Sequence, residues 1–226
     1  VTYKEPFYRD AAYVAMLCEE TGNLEQIIPW IESISEIYDL QRGENIKEPD
    51  NLGELLYMQS LLPTPNWDFV DEIIEEAYRI RNNEGMLSGT MDGEEHPNYV
   101  TGWLKFGLES LGLDSSDWKL DSSIKDSYTD LLWFFEDPAL NEWRKSHSYY
   151  FNSLWPYIDY ARGNFYNVDL DVYYKKNNES YMSYEPANSS AWGLIDKGLS
   201  EVKSSTPHIW SAVEMYFYYL NKESYN

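Results

Sequence analysis

The sequence predicts a mainly α-helical protein made of helix pairs in two layers, and three observations carry that expectation. Segments apolar on nearly every face alternate with segments apolar on one face only, which is the pattern of inner helices covered by amphipathic outer ones. The all-apolar segments begin near residues 8, 51 and 99, a period of about 43–48 residues that marks repeated helix pairs. At 43% apolar and 25% charged residues, the 226-residue chain has the composition and length of one folded domain spanning 1–226. The period admits two architectures: an open α-solenoid, or an α/α toroid in which the pairs close into a ring.

The first inner helix is expected over Phe7–Glu20, where Ala11, Ala12, Val14, Ala15, Leu17 and Cys18 leave little polar face, and Gly22 stops it. Its outer partner is read from Leu24, Ile27, Ile28, Ile31, Ile34 and Tyr38, with Asn23 and Gln26 as a capping pair and a kink at Pro29. The second pair is Asn51–Leu62, mostly apolar and ended by Pro63 and Pro65, followed by amphipathic Asp68–Arg81. Val70, Ile73, Ile74, Ala77 and Ile80 point one way there, and Asp71, Glu72, Glu75 and Glu76 the other. Tyr99–Leu111 opens the third pair, with Ile124–Phe135 as its outer member.

Beyond residue 140 the rhythm changes. A short helix fits Trp155–Tyr166, bounded by Pro156 and Gly163, and two Tyr-rich runs around Asn177 and Asn178 within 171–185 read as a β-hairpin. A last inner helix is expected from Thr206 as N-cap and Pro207 in the first turn, through the apolar run Ile209–Leu220.

Charge narrows the function. With 17 Lys and Arg against 39 Asp and Glu the net charge is −22, which repels nucleic-acid phosphates and anionic lipid surfaces. No apolar run approaches the ~18–20 residues of a spanning helix, and charges throughout residues 1–20 leave no visible signal peptide. A cytoplasmic chain, or a secreted one already processed, is the expectation. One cysteine, Cys18, and three distant histidines, His96, His147 and His208, argue against a metal site, and no cofactor is implied. Aromatic residues reach 17%, with 21 Tyr and 9 Trp, and such rings fill a core or line a groove for flat ligands such as sugars.

Polar residues of the inner helices crowd their N-terminal ends: Arg9 and Asp10; Glu48, Asp50 and Glu54; His96 and Asn98; His208. Parallel inner helices in a toroid bring those ends to one mouth, which a solenoid does not. Each residue also has a structural reading. Asp50 or Asn51 fits a helix cap, Arg9 with Asp10 an ion pair, Trp103 and Trp210 a core, and Cys18 packing.

The stretches FYRDAAYVAMLCEETGN (7–23), KEPDNLGELLYMQSLL (47–62) and GLSEVKSSTPHIWSAVEMYFYYL (198–220) resemble the six-hairpin, α/α-toroid glycosidases, especially the glucoamylase-like group. The resemblance implies an Arg9–Asp10 pair that holds a sugar. It also implies Glu48, or in its place Asp50, as general acid, and Glu201 as general base ahead of Trp210, Ser211 and Ala212. About four hairpins stand against that family's six, Lys47 occupies the place where Trp commonly precedes the acid, and Val1 reads as the middle of a longer chain.

Glycoside hydrolysis needs one carboxylic acid to protonate the leaving oxygen and a carboxylate opposite to activate water, and inversion sets them about 6.5–9.5 Å apart. The expected ligand is a neutral sugar among Arg9, Asp10, Trp103, His208 and Trp210. Two other readings stand beside this one. The first is a binding or scaffold protein on an α-solenoid or degenerate toroid. The second is a sugar isomerase, epimerase or lyase using His208 or Tyr side chains as proton carriers.

Overall fold

The computed structural model describes residues 7–39, 45–91, 93–124, 126, 128–146, 184–186, 205–207, 213, 216, 217 and 220. It is mainly helical and divides into two compact units, Phe7–Ser148 and a second comprising Val1–Pro6 with Tyr149–Asn226.

In the larger unit the elements run α1 (Tyr8–Glu20), a 3₁₀ turn (Leu24–Gln26), α2 (Ile28–Glu32), α3 (Asp50–Ser60) and α4 (Trp67–Arg79). A two-stranded ribbon follows, β1 (Thr90–Met91) with β2 (Glu94–Glu95), then α5 (Pro97–Ser110), a 3₁₀ turn (Thr129–Leu132) and α6 (Pro138–Ser146). The layer pattern matches the hydropathy. α3 is buried at every residue but Ser60, whereas α4 buries Phe69, Val70, Ile73 and Ala77 and exposes Asp68, Asp71, Glu72 and Glu75.

The inner helices α1, α3 and α5 run in one direction. Early residues meet early residues, as Arg9 bonds Asp50. Late residues meet late ones: the Tyr57 hydroxyl donates to Glu19 Oε2 at 2.9 Å, and the Tyr57 and Phe106 rings lie 5.1 Å apart. Between these ends, glycines bring α3 and α5 to backbone contact. A Cβ on Gly53 would stand 2.2 Å from the Trp103 carbonyl carbon, so neither helix tolerates a side chain there.

Helix ends follow local chemistry. Gly22, at φ 69°, closes α1 with a pair of bonds, Gly22 N–H to Glu19 O and Asn23 N–H to Cys18 O, and Gly112 (φ 71°) repeats the arrangement after α5. Asn66 Oδ1 accepts from the Phe69 N–H and starts α4. Asn23 and Gln26 touch at 3.3 Å, but Asn23 caps no helix N–H.

Two expectations for this unit are corrected. The helix read over 24–38 survives as the Leu24–Gln26 turn and five-residue α2, with Pro29 in its first turn. The rest is held outside helix by tertiary bonds: the Tyr8 hydroxyl donates to Glu36 O, and the Tyr38 hydroxyl to Glu76 Oε1. Ile124–Phe135 is not an outer helix but turns around a 3₁₀ segment, because Asp121 and Asp126 spend their carboxylates on nearby backbone N–H groups. The helix there is α6, started by Asp137, whose Oδ1 accepts from the Ala139 N–H, with Pro138 at the first position.

In the smaller unit, Tyr184–Pro186 forms β3 and pairs antiparallel with β4, Ser205–Pro207, in the register Tyr184–Pro207, Glu185–Thr206 and Pro186–Ser205. Thr206 and Pro207 are therefore strand, not a helix cap and first turn; proline fits because it is tolerated at sheet edges. The end of the hairpin expected over 171–185 pairs with 205–207, while its remainder and the helix at 155–166 lie outside the described residues. Residues 213, 216, 217 and 220 are helical, as the apolar run predicts, with Val213 buried and Tyr216 and Leu220 exposed. Among the described residues no helix is long and apolar enough to cross a membrane.

Candidate active site

The site is built at the N-terminal ends of α1, α3 and α5. Arg9 sits in the first turn of α1, and its guanidinium reaches sideways to the head of α3. Nε donates to Asp50 Oδ2 at 2.7 Å and Nη2 to Glu48 Oε2 at 3.1 Å. All three side chains are buried, Asp50 completely. A pair of charges this dry is held by geometry as well as charge, since each lost bond leaves an uncompensated ion.

Glu54 stands one turn further along α3 and is also fully buried, with Oε2 accepting from Asn51 Nδ2 at 3.3 Å. Burial, then the neighbouring Asp50 carboxylate, raises the Glu54 carboxyl well above the usual carboxylate range, against the opposing pull of Arg9. Asn51 links this cluster to the loop before α3: its Oδ1 accepts from the Asp39 N–H, and Asp39 Oδ2 accepts from the Tyr8 N–H at the start of α1. Asp50 and Asn51, readable as helix caps, thus tie elements together, and neither caps α3.

The head of α5 adds a second buried cluster. His96 Nδ1 lies 3.0 Å from Asp126 Oδ1, so a proton on Nδ1 is shared with a buried carboxylate. Asp126 Oδ2 accepts from the Tyr99 N–H at 2.9 Å, capping the first turn of α5 from 27 residues away. The Tyr128 ring packs against both His96 (4.3 Å) and Tyr99 (5.4 Å), and the Arg9 guanidinium lies 5.8 Å from its centre. Burial above all raises the Tyr99 hydroxyl well above its ordinary range, with Tyr13 and Glu54 acting in the same direction.

Arg9, Glu48 and Asp50, all anticipated from sequence, are therefore in direct contact, and Asp10 is half-buried one residue along α1. Trp103 is not among these helix heads. It is fully buried among Tyr13, Tyr57, Phe106 and Phe134, at 4.6–6.3 Å between ring centres, and offers no face to a sugar. The physical reason is depth: Trp103 lies two turns into α5, beside the glycine crossing. Glu201, His208 and Trp210 lie outside the described residues.

Glu54, Tyr99, Asp126 and Tyr128 receive no site role from sequence. The first had a signal, since Asp50 and Glu54 are four residues apart and must share a face of a helix otherwise apolar. Asp126 and Tyr128 come from a turn-rich segment whose approach to α5 no local pattern announces. A cavity of about 350 Å³ is lined among others by Asn82, Glu84, Ser88, Glu95 and Pro97 at the entry to α5, and Arg9, Glu48 and Asp50 are not in its wall. Among the described residues no cluster of three or more metal-ligating side chains occurs.

No protein-family model matches the chain, and neither a curated protein nor a solved structure was found to match it.

Proposed function

We propose that the chain is a glycoside hydrolase-like protein, acting on a neutral carbohydrate by acid/base hydrolysis with inversion, on an α/α toroid. The observation that carries the reading is the convergence of two parallel helix heads, those of α1 and α3, on Arg9, Glu48 and Asp50, with the head of α5 joined through Tyr128. In this reading Arg9 and Asp10 hold sugar hydroxyls, for which a guanidinium and a carboxylate supply donors and acceptors. Glu48 is the general acid and Glu201 the base. The acid gives its proton to the glycosidic oxygen as the bond from the anomeric carbon to that oxygen breaks. The base takes a proton from water, whose oxygen bonds that carbon from the opposite face. Asp50 is the weaker choice of acid, because it is wholly buried, whereas Glu48, also bonded to Arg9, keeps a little exposed surface. Tyr128, half-buried beside Arg9, takes the aromatic place assigned to Trp103.

A panel of aryl glycosides and oligosaccharides, with the product anomer followed by NMR, tests this. Turnover that Glu48→Gln lowers by about 10²–10⁴-fold is expected. Turnover indifferent to that change, or none on any substrate, overturns the reading. The second reading is a non-catalytic binding or scaffold protein, favoured by the depth at which Arg9 and Asp50 are paired; it predicts no turnover at all.

A further inference from the structure

Asp50 and Glu54 occupy successive turns of α3, both without solvent exposure. Each has one oxygen bonded outward: Asp50 Oδ2 to Arg9 Nε, and Glu54 Oε2 to Asn51 Nδ2. The other oxygens, Asp50 Oδ1 and Glu54 Oε1, are buried and meet no donor among the described residues. The two carboxyls nevertheless stand within hydrogen-bonding reach of each other. Two ionised carboxylates cannot bond, since both only accept.

We propose that Asp50 and Glu54 hold one proton between them, with Glu54 the neutral partner whose O–H donates to Asp50 Oδ1 and positions Asp50 against Arg9. Every oxygen of the pair then has a partner. The proton belongs on Glu54 because Arg9 bonds Asp50 directly and favours its charged form, while Glu54 receives a neutral amide. The groups facing Glu54 agree. Arg9 of α1 is the positive charge, Asp50 at the head of α3 is a carboxyl and Tyr99 of α5 a phenol, while Glu48 shares Arg9 with Asp50. α4 turns Asp68, Asp71, Glu72 and Glu75 to solvent. One guanidinium thus faces three carboxyls in a dry site, and a retained proton relieves the imbalance. The bearing of this pair on catalysis rests on the hydrolase reading; the shared proton does not.

The sign of the pH dependence follows. Below the ordinary Glu range, near pH 4.3, folded and unfolded chains both carry the proton. Above it the unfolded chain releases the proton and the folded chain keeps it, so this group makes stability fall as pH rises until folded Glu54 itself ionises. Glu54→Gln keeps the shape and the donor but has no proton to lose. Urea unfolding of the full chain from pH 5 upward should therefore show the variant gaining on wild type, by about tenfold in the unfolding constant per pH unit for as long as folded Glu54 keeps its proton. A wild-type-to-variant ratio independent of pH overturns the proposal. A second readout is the infrared carbonyl stretch of a protonated carboxylic acid at pH 7 in the wild-type-minus-Glu54→Gln difference spectrum, in which any band from Glu48 cancels. Should that variant not fold, Asp50→Asn serves, because its amide can donate to an ionised Glu54 and the same difference band should appear. No band in the difference spectrum between wild type and a folded variant overturns the proposal, and neither readout depends on turnover.

Discussion

Gly53 of α3 and Gly107 of α5 face each other so closely that a Cβ on Gly107 would lie 2.5 Å from the Gly53 carbonyl oxygen. The atoms that object are main chain, with the Leu56 Cβ beside them, and no rotamer change moves any of these. Gly53→Ala and Gly107→Ala should each destabilise the protein by about 1–3 kcal/mol, towards the upper end, read as a lower urea midpoint with unchanged slope. Midpoints within error of wild type would show that the helices separate more freely than their packing implies.

Arg9→Met should cost about 3–5 kcal/mol, because Asp50 is left charged and buried with its Oδ2 unpaired. Arg9→Lys should recover little, since one ammonium cannot reproduce bonds from both Nε and Nη2 to two carboxylates. Chemical denaturation of the three proteins side by side decides it.

Asp50→Asn and Glu48→Gln should part company. Asp50 is enclosed and bonded to Arg9, so its substitution should lower the melting temperature first. Under the hydrolase reading Glu48→Gln should instead lower kcat with little change in melting temperature, because the amide keeps the shape and removes the acid. The opposite split would exchange their roles.

Asp126→Ala should cost about 1–3 kcal/mol by orphaning buried donors, the Tyr99 N–H and His96 Nδ1. Hydrogen exchange should locate the loss at the first turn of α5. Exchange faster across the whole unit, with no local excess, would argue against a capping role.

The layering of helices was legible because burial is written in periodicity. Asn51–Leu62 has scarcely a polar face and α3 is buried, while Asp68–Arg81 has a clean one and α4 is half-exposed. The stretches misread as helix, 24–38 and 124–135, carry apolar residues at helical spacing too, yet their backbone is claimed by distant partners such as the Tyr8 hydroxyl at Glu36 O. Periodicity reports which side is apolar and is silent about such competition. The ribbon joining β1 to β2 turns at Gly93 (φ 86°) after Asp92, an Asp-Gly signal that sequence does display. At the site, Arg9, Glu48 and Asp50 stood out as polar residues on apolar helices. Trp103 did not reveal its depth, since a tryptophan on an all-apolar helix can face a groove or a core alike.

The run Asp50-Asn51-Leu52-Gly53-Glu54 spans little more than one helical turn and meets a separate demand at each position. Asp50 answers Arg9, Asn51 bridges Asp39 to Glu54, Leu52 fills the core, Gly53 admits α5, and Glu54 packs behind Asp50. Read as information, these five letters are nearly incompressible: helix α4, a few residues on, can exchange one exposed acid for another, but here almost every alternative letter violates a constraint set elsewhere in the chain. A stretch of this kind works as a signature, so a distant chain that shares it together with an arginine at the head of the preceding inner helix would share this site's geometry even where the remaining sequence has drifted past recognition.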